Sequence, residues 1–440
     1  MNYQESLEYL DSLSVFGVKL GLERIRHLAS LMGDPQDRYN TIHVTGTNGK
    51  GSVSMLLAEV LHRSGIHAGL YTSPHLVSYT ERMQVDGQPI SEDEFAACAT
   101  AVKKYTDQMI AEGLEPPTQF EVLTAMAFMF FSMKQVEYAV IEVGLGGLID
   151  STNIITPEIC VITNVTMEHA DKCGGTIEGI AHHKAGIIKN GVPVVTAAAG
   201  VPLEIIEETA DEKNADLFVR GRDFDCEEVT ANVQAQSLCF HSELLGVKSE
   251  KYKLKLLGEY QVENSALAVM TAHILHQSEP RITSETIARA MELAEWPGRF
   301  ERMNIGGQQI VIDGAHNPAG MRVLRNSLDR YFPVEERVLL LGILRDKDVD
   351  AMLHLLVRAN DTVIVTSPDS DRAKDPEKLA KMIHAQHVEV VRGRGEALKR
   401  ALELADESRL LCVTGSLYLV GTIRQQLINI RADILKKEDA

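Results

Sequence analysis

The sequence predicts an α/β protein built on two doubly wound sheets, and three observations carry that prediction. A β-branched run, Thr41-Ile42-His43-Val44-Thr45, passes through a glycine-rich break at 46–51 into residues with helical apolar spacing. Strand-like segments at 138–143, 159–163 and 193–196 are then separated by stretches long enough for the crossover helices that parallel neighbours require. After Trp296-Pro297-Gly298-Arg299 the alternation of apolar strand and helical segment starts again.

In chain order, the first helix with a clear apolar face covers 52–64, with Val53, Leu56, Leu57, Val60 and Leu61 on one side. The most apolar stretch, 125–133, ends in Lys134 and is too short to cross a bilayer, so it reads as a core helix. Between 225 and 257 the pattern turns to short alternating runs such as Val233-Gln234-Ala235-Gln236, which suit a small antiparallel sheet. Beyond the Pro-Gly pair come strands at 310–312, 338–344, 362–366, 388–391 and 410–414, with helices at 376–385 and 396–405. The expected organisation is an N-terminal domain over 1–296, a P-loop, doubly wound and mostly parallel sheet carrying the β appendage at about 225–257, and a C-terminal Rossmann-like α/β domain over 297–440.

Bulk properties narrow the function classes. A chain of 440 residues exceeds what one core usually supports. With 44 Lys and Arg against 62 Asp and Glu, the net charge of −18 repels nucleic acid and anionic membranes, so an anionic substrate needs a locally basic pocket. The six cysteines are scattered without a C-x-x-C pair, which argues against a zinc knuckle or a disulfide framework. The acidic N-terminus lacks the basic-then-apolar order of a signal peptide, and a cytoplasmic protein is expected.

The segment Thr45-Gly46-Thr47-Asn48-Gly49-Lys50-Gly51-Ser52 carries the strongest chemical signal. Between a strand and a helix, its glycines let backbone N–H groups approach phosphate oxygens; the helix N-terminus favours the anion and Lys50 adds a cation. It departs from G-x-x-x-x-G-K-[ST], because Val44 replaces the first Gly and Gly51 the Ser or Thr; Ser52 is the hydroxyl available to a metal. An ordinary βα turn is the competing reading. Glu142 stands near the end of the apolar strand Ala139-Val140-Ile141, where an unpaired carboxylate is costly; in a nucleotide site its natural partner is magnesium. The glycines of Gly144-Leu145-Gly146-Gly147 have the wrong spacing for a dinucleotide turn, and 150–153 reads as loop. By composition alone His169 and Lys184 read as a hydrogen-bonding histidine and a helix-face cation. In the second half Asp313 and His316 lie beyond the strand Ile310-Val311-Ile312, with Asn317 as an N-cap and Pro318 at the first helical position.

Together these segments resemble the folylpolyglutamate synthase and dihydrofolate synthase family of the Mur ligases. The match runs through 43–52, Tyr71-Thr72-Ser73-Pro74-His75, Glu81-Arg82-Met83, Gln119-Phe120-Glu121, 142–153, Glu168-His169, 183–189, 258–264, 296–301, 313–318 and 414–421. The resemblance implies two magnesium sites surrounded by Ser52, Ser73, Glu142 and His169, with Lys184 carbamylated so that an amine becomes a metal-binding carboxylate. It implies ATP contacts from Thr47, Asn48, Gly49, Lys50, Gly51 and Ser52, and from Asn264, Arg299 and Asp313, with His316 counted in the catalytic set. Pterin-side contacts are implied at Arg82, Phe120 and Asp150. Two positions depart from the family pattern: Glu168 stands where Asp often precedes the histidine, and His183 where Glu often precedes the lysine.

The activity expected from that resemblance is ATP-dependent addition of L-glutamate to the tail of a folate through an acyl phosphate, by a monomer. A dihydrofolate synthase, alone or bifunctional, is the nearest alternative. Another Mur-type ligase is disfavoured because only about 45 residues precede the phosphate loop, too few for a typical domain. A nucleotide-gated binding protein would keep the loop without needing Glu142, Lys184 and Asp313. An accessory monovalent cation such as potassium stays open at this level.

Overall fold

The computed structural model describes the chain except residues 15, 16, 18, 20, 168–172, 335, 406–408 and 439–440, and gives residues 435, 437 and 438 by backbone alone. The chain divides into two compact units: Met1–Val229 with Ser237–Leu254 and Gln261–Ala294, and Thr230–Gln236 with Lys255–Tyr260 and Glu295–Ala440.

The first unit is organised by an eight-stranded sheet of β1 (Asn40–Thr45), β2 (Ala68–Tyr71), β3 (Met83–Val85), β4 (Gln88–Pro89), β5 (Tyr138–Glu142), β6 (Ile159–Ile162), β7 (Val194–Thr196) and β8 (Leu217–Val219). Their order is β4-β3-β2-β5-β1-β6-β7-β8. From β2 to β8 all neighbours are parallel, and only the β2–β3 and β3–β4 pairings at one edge are antiparallel. Every residue of β5 is buried, so the strand reads as a continuous apolar run rather than an alternation, as expected where helices cover both faces. The helix Gln119–Lys134 is apolar on all sides for the same reason, its phenylalanines closing a core with Tyr71 and Ile141.

The β3–β4 hairpin is absent from the sequence reading. Strands of three and two residues are too short to show a period, although Asp86-Gly87 between them is a hairpin-turn pair, with φ +51° and +76°. The segment expected as loop at 150–153 closes instead into a 3₁₀ turn, Ser151–Ile154, capped by the Asp150 side chain. The appendage consists of β9 (Asp225–Ala231), β10 (Gln236–Ser242) and β11 (Val247–Leu254) in sequential order, joined by four-residue connections that only antiparallel neighbours permit.

The second unit carries a six-stranded sheet of β12 (Glu301–Ile305), β13 (Gln308–Ile312), β14 (Arg337–Leu341), β15 (Thr362–Val365), β16 (His387–Val390) and β17 (Leu410–Thr414), ordered β12-β13-β17-β14-β15-β16. It is parallel except for β12, which runs antiparallel on β13. The strand expected to reach residue 344 stops at Leu341, and the helix expected over 376–385 ends at Ala380. Among the described residues no helix is long and apolar enough to cross a membrane.

Candidate active site

Three neighbouring parallel strands, β2, β5 and β1, end side by side, and the loops that follow them carry most of the predicted chemistry. After β1 the chain turns at Gly46, with φ +149°, and at Gly49, with φ +86°, before the helix Lys50–Arg63 begins. The loop is clamped from the end of β6: Thr47 N donates to Asn164 O (2.8 Å), Asn48 N to Asn164 Oδ1 (2.9 Å), and Thr163 Oγ1 to Asn48 O (2.6 Å). Lys50 folds its ammonium back to donate to Gly46 O and Thr47 O at 3.0 and 3.1 Å, so the charge stands over the loop. Ser52 is buried in the first turn of the helix.

The approach around this loop leaves no room for side chains. A Cβ on Gly46 would stand 1.8 Å from Thr163 Oγ1, and one on Gly49 would stand 2.2 Å from Asn264 Oδ1. Asn264 is therefore packed on the phosphate loop, its amide nitrogen held by Gln261 Oε1 at 2.9 Å. Gly46→Ala combines the clash with an unfavourable φ and is expected to cost about 2–4 kcal/mol of stability. Denaturant unfolding of that variant measures it, and a loss below about 0.5 kcal/mol would contradict the tight clamp.

Glu142 closes β5 opposite Val44 of β1 and is 4% exposed. Its Oε2 accepts from Ser73 N at 3.1 Å, which brings the loop after β2 to the same carboxylate. The following turn is tied to the phosphate loop by Thr45 Oγ1, which donates to Gly146 O at 2.7 Å. Lys184 is 6% exposed in the last turn of the helix Ile177–Ala185, and a Cβ on Gly147 would stand 2.6 Å from His183 O and 3.3 Å from Lys184 Cα. Ser52, Ser73, Glu142, Lys184 and Asn264 thus share the first unit with the phosphate loop, while His169 lies outside the described residues.

Asp150 is deeply buried with both oxygens engaged: Oδ2 accepts from Leu145 N (2.8 Å), Oδ1 from Thr152 N (3.0 Å) and from Thr152 Oγ1 (2.6 Å). In these bonds the carboxylate holds the turn that follows Glu142, and burial raises its pKa above the usual carboxylate value. The relay extends to His43 on β1, whose Nε2 lies 2.9 Å from Thr152 Oγ1. Since that hydroxyl donates to Asp150, His43 donates from Nε2.

Burial, aided by Lys189, lowers the His43 pKa from 6.5 to about 3. Because the folded value lies below the unfolded one, protonation favours the unfolded chain. The contribution is whole above about pH 6.5 and is lost as pH falls towards about 3. Between pH 7.5 and pH 5 the protein is expected to lose about 2 kcal/mol more than His43→Gln does, read by urea unfolding at the two values.

Phe120 packs directly on the same turn: a Cβ on Gly144 would meet its Cζ at 2.4 Å, and its ring stacks on Tyr71 at 6.3 Å. Arg82 belongs to the loop beyond Ser73, where its Nε donates to His75 Nδ1 at 2.9 Å and its guanidinium lies over the Tyr79 ring at 5.2 Å. Burial, with Arg82 beside it, pushes His75 down to about 3 and keeps that ring neutral.

The remaining candidates belong to the second unit. Asp313, 8% exposed after β13, accepts from Phe300 N and Ala315 N, both at 2.8 Å. Burial raises its pKa while the Arg299 charge opposes the rise. Phe300, between Arg299 and β12, adopts φ +48°, an uncommon conformation for an aromatic residue that the Asp313 hydrogen bond pins. His316 Nδ1 lies 2.7 Å from Gly314 O, and Asn317 caps the helix Pro318–Tyr331 by accepting from Gly320 N at 2.7 Å. Sequence reasoning missed Thr163, Asn164 and the His43–Thr152–Asp150 relay. The one available signal was that 163–164 follows a strand flanking the phosphate loop.

The comparisons with known proteins agree in direction. Residues 44–272 match the Mur ligase middle domain, and residues 298–417 the glutamate ligase domain of Mur ligases. A folylpolyglutamate synthase from Lacticaseibacillus casei is 36% identical, covering 97% of this chain and 99% of its own length. A dihydrofolate synthase/folylpolyglutamate synthase from Bacillus subtilis is 31% identical over the same shares. The chain spans about half of a Haloferax volcanii protein described as a probable bifunctional folylpolyglutamate synthase/dihydropteroate synthase, at 36% identity over 96% of this chain. Among solved structures, a Thermotoga maritima folylpolyglutamate synthase superposes with a TM-score of 0.87 at 36% identity, covering 97% of this chain and 96% of its own. A Mycobacterium tuberculosis folylpolyglutamate synthase complexed with ADP and AMPPCP gives 0.85 at 31%, covering 97% and 99%. With the middle-domain match covering more than half of the chain and relatives aligned nearly end to end, the chain belongs to the Mur ligases and, among them, to the folylpolyglutamate synthase and dihydrofolate synthase family.

Proposed function

We propose that this ligase uses ATP to join L-glutamate to the glutamate tail of a folate, acting as a monomer in the cytoplasm. The observation that carries the reading is the pairing, on adjacent strand ends, of a phosphate loop bearing Lys50 with the buried carboxylate of Glu142. Solved relatives hold ADP and AMPPCP, which supports ATP as the nucleotide.

Among the described residues no three His, Cys, Asp or Glu side chains gather as a metal cage. The donors at hand are the Glu142 carboxylate and the hydroxyls of Ser52 and Ser73, an oxygen set that fits magnesium completed by phosphate oxygens. Bound there, with Lys184 as its carbamate at a second position, the metal supplies positive charge against the transferring phosphoryl group. Forming that carbamate joins the lysine nitrogen to carbon dioxide and releases a proton, and a buried lysine suits it because burial favours the neutral amine.

The chain's own work is positioning. Backbone N–H groups of 46–52 and the helix N-terminus orient the triphosphate, and Lys50 neutralises charge on the group in transit. A carboxylate of the tail takes the γ-phosphoryl group, the glutamate amine attacks the acyl phosphate, and phosphate leaves from the tetrahedral intermediate. Arg299 and Asp313, as nucleotide-contact candidates, and His316, as a catalytic candidate, are carried by the second unit.

The second reading, addition of the first glutamate to dihydropteroate, is favoured by relatives named for both activities and by the Escherichia coli relative solved with DHPP and ADP. One assay separates them: phosphate release from magnesium ATP and glutamate, with tetrahydrofolate, dihydropteroate or a muramyl nucleotide offered in parallel. Turnover with tetrahydrofolate is the expected result. Turnover with dihydropteroate alone would move the assignment to the second reading, and silence with every acceptor would overturn the ligase reading. Exchanging potassium for a bulky organic cation in the same assay tests the accessory ion.

A further inference from the structure

Away from the phosphate loop, three cations of the first unit line one open groove of about 510 Å³: Arg26, Lys189 and Lys213. They come from separate elements, the helix Glu23–Leu31, the segment after the helix Ile177–Ala185, and the C-cap of the helix Val201–Glu212. None of the three forms an ion pair among the described residues. Lys189 Nζ donates to Asn153 O (3.2 Å) and Asn153 Oδ1 (2.7 Å), which are neutral acceptors. Burial first, and then the fields of Arg26 and Lys213, lower its affinity for a proton.

Two helices end at this groove and a third, Glu23–Leu31, begins there at Leu22, so the termini together supply about half a negative charge against three formal positive ones. In a chain of net charge −18, an uncompensated surplus of positive charge in one concavity marks a place for an anion. Phosphate is less well served, because two of the three helix termini at the groove are carbonyl ends and the cations stand singly. A flexible chain with carboxylates spaced along methylenes is well served, because Leu22 and Leu148 give the groove apolar wall between the charges. Leu148 also packs on Gly186, two residues beyond Lys184, so the groove backs onto the turn that carries the metal-side candidates.

We propose that this groove holds the α-carboxylates of earlier residues in the oligo-γ-glutamate tail while the terminal carboxyl group reacts. The inference rests on the folate-tail reading and deepens it. Arg26→Gln with Lys213→Gln leaves the catalytic loops untouched. The double variant is expected to raise KM for a pentaglutamyl folate about 5-fold, with kcat and the monoglutamyl KM unchanged. An equal change for both acceptors, or none for the longer one, overturns the proposal.

Free tetra-γ-glutamate, titrated calorimetrically without ATP, provides a readout independent of catalysis. Binding to the wild type and its loss in the double variant support the groove even if no folate acceptor turns over. Binding of inorganic phosphate or pyrophosphate in place of the peptide, or no binding of either kind, overturns it.

Discussion

Lys50→Ala is expected to lower ATP-dependent phosphate release at least about 10³-fold while the folded chain persists. Among the described residues the lysine donates only to two carbonyls of its own loop, Gly46 O and Thr47 O, and its side chain is half-buried. Removing it forfeits hydrogen bonds that water can replace, a loss of about 1 kcal/mol. The transition state loses more, because negative charge on the transferring group has no replacement cation held at that spot. ADP release with saturating acceptor, beside a thermal melt, reads both quantities. ADP release near the wild-type rate would remove the phosphate loop from the mechanism.

Glu142→Gln is expected to move activity and stability in opposite directions. The side chain keeps its volume and an acceptor for Ser73 N, but the charge is lost from a position 4% exposed. Burying a neutral amide costs less than burying a carboxylate, so the melting temperature is expected to hold or rise. Turnover is expected to fall about 10²- to 10³-fold, with a higher magnesium requirement, because the oxygen set loses its only described carboxylate. A magnesium titration of ADP release and a melting curve check the pair. Unchanged turnover at low magnesium would dissociate Glu142 from the metal, and a large fall in melting temperature would make it a structural residue instead.

Much of the architecture was legible because its determinants are local. The passage from β1 through 46–49 into the helix Lys50–Arg63 is written in a β-branched run, glycines at the two positive-φ turns and helical spacing after them. The apolar runs at β5, β14 and β17 announced strands covered on both faces, and Asn317 with Pro318 announced a helix start. Legibility failed where elements were short or their partners distant in the chain. The β3–β4 hairpin offers five strand residues and no period. Asp150, read as a pterin contact, also accepts three hydrogen bonds from the turn it caps, a structural role that no local pattern announces.

The sequence by itself determined two α/β units, a phosphate-binding turn with its lysine, and a carboxylate that could not be buried idle, because each follows from the periodicity or chemistry of a few adjacent residues. Tertiary structure alone decided that Asn264 reaches Gly49 from more than 200 residues away, that Asn164 clamps the phosphate loop, that His43 supports Asp150, and that Arg26, Lys189 and Lys213 share one groove. The physical reason is that strand order and helix packing bring side chains together without regard to their separation along the chain, and a single chain's pattern records faces and turns but not which faces meet.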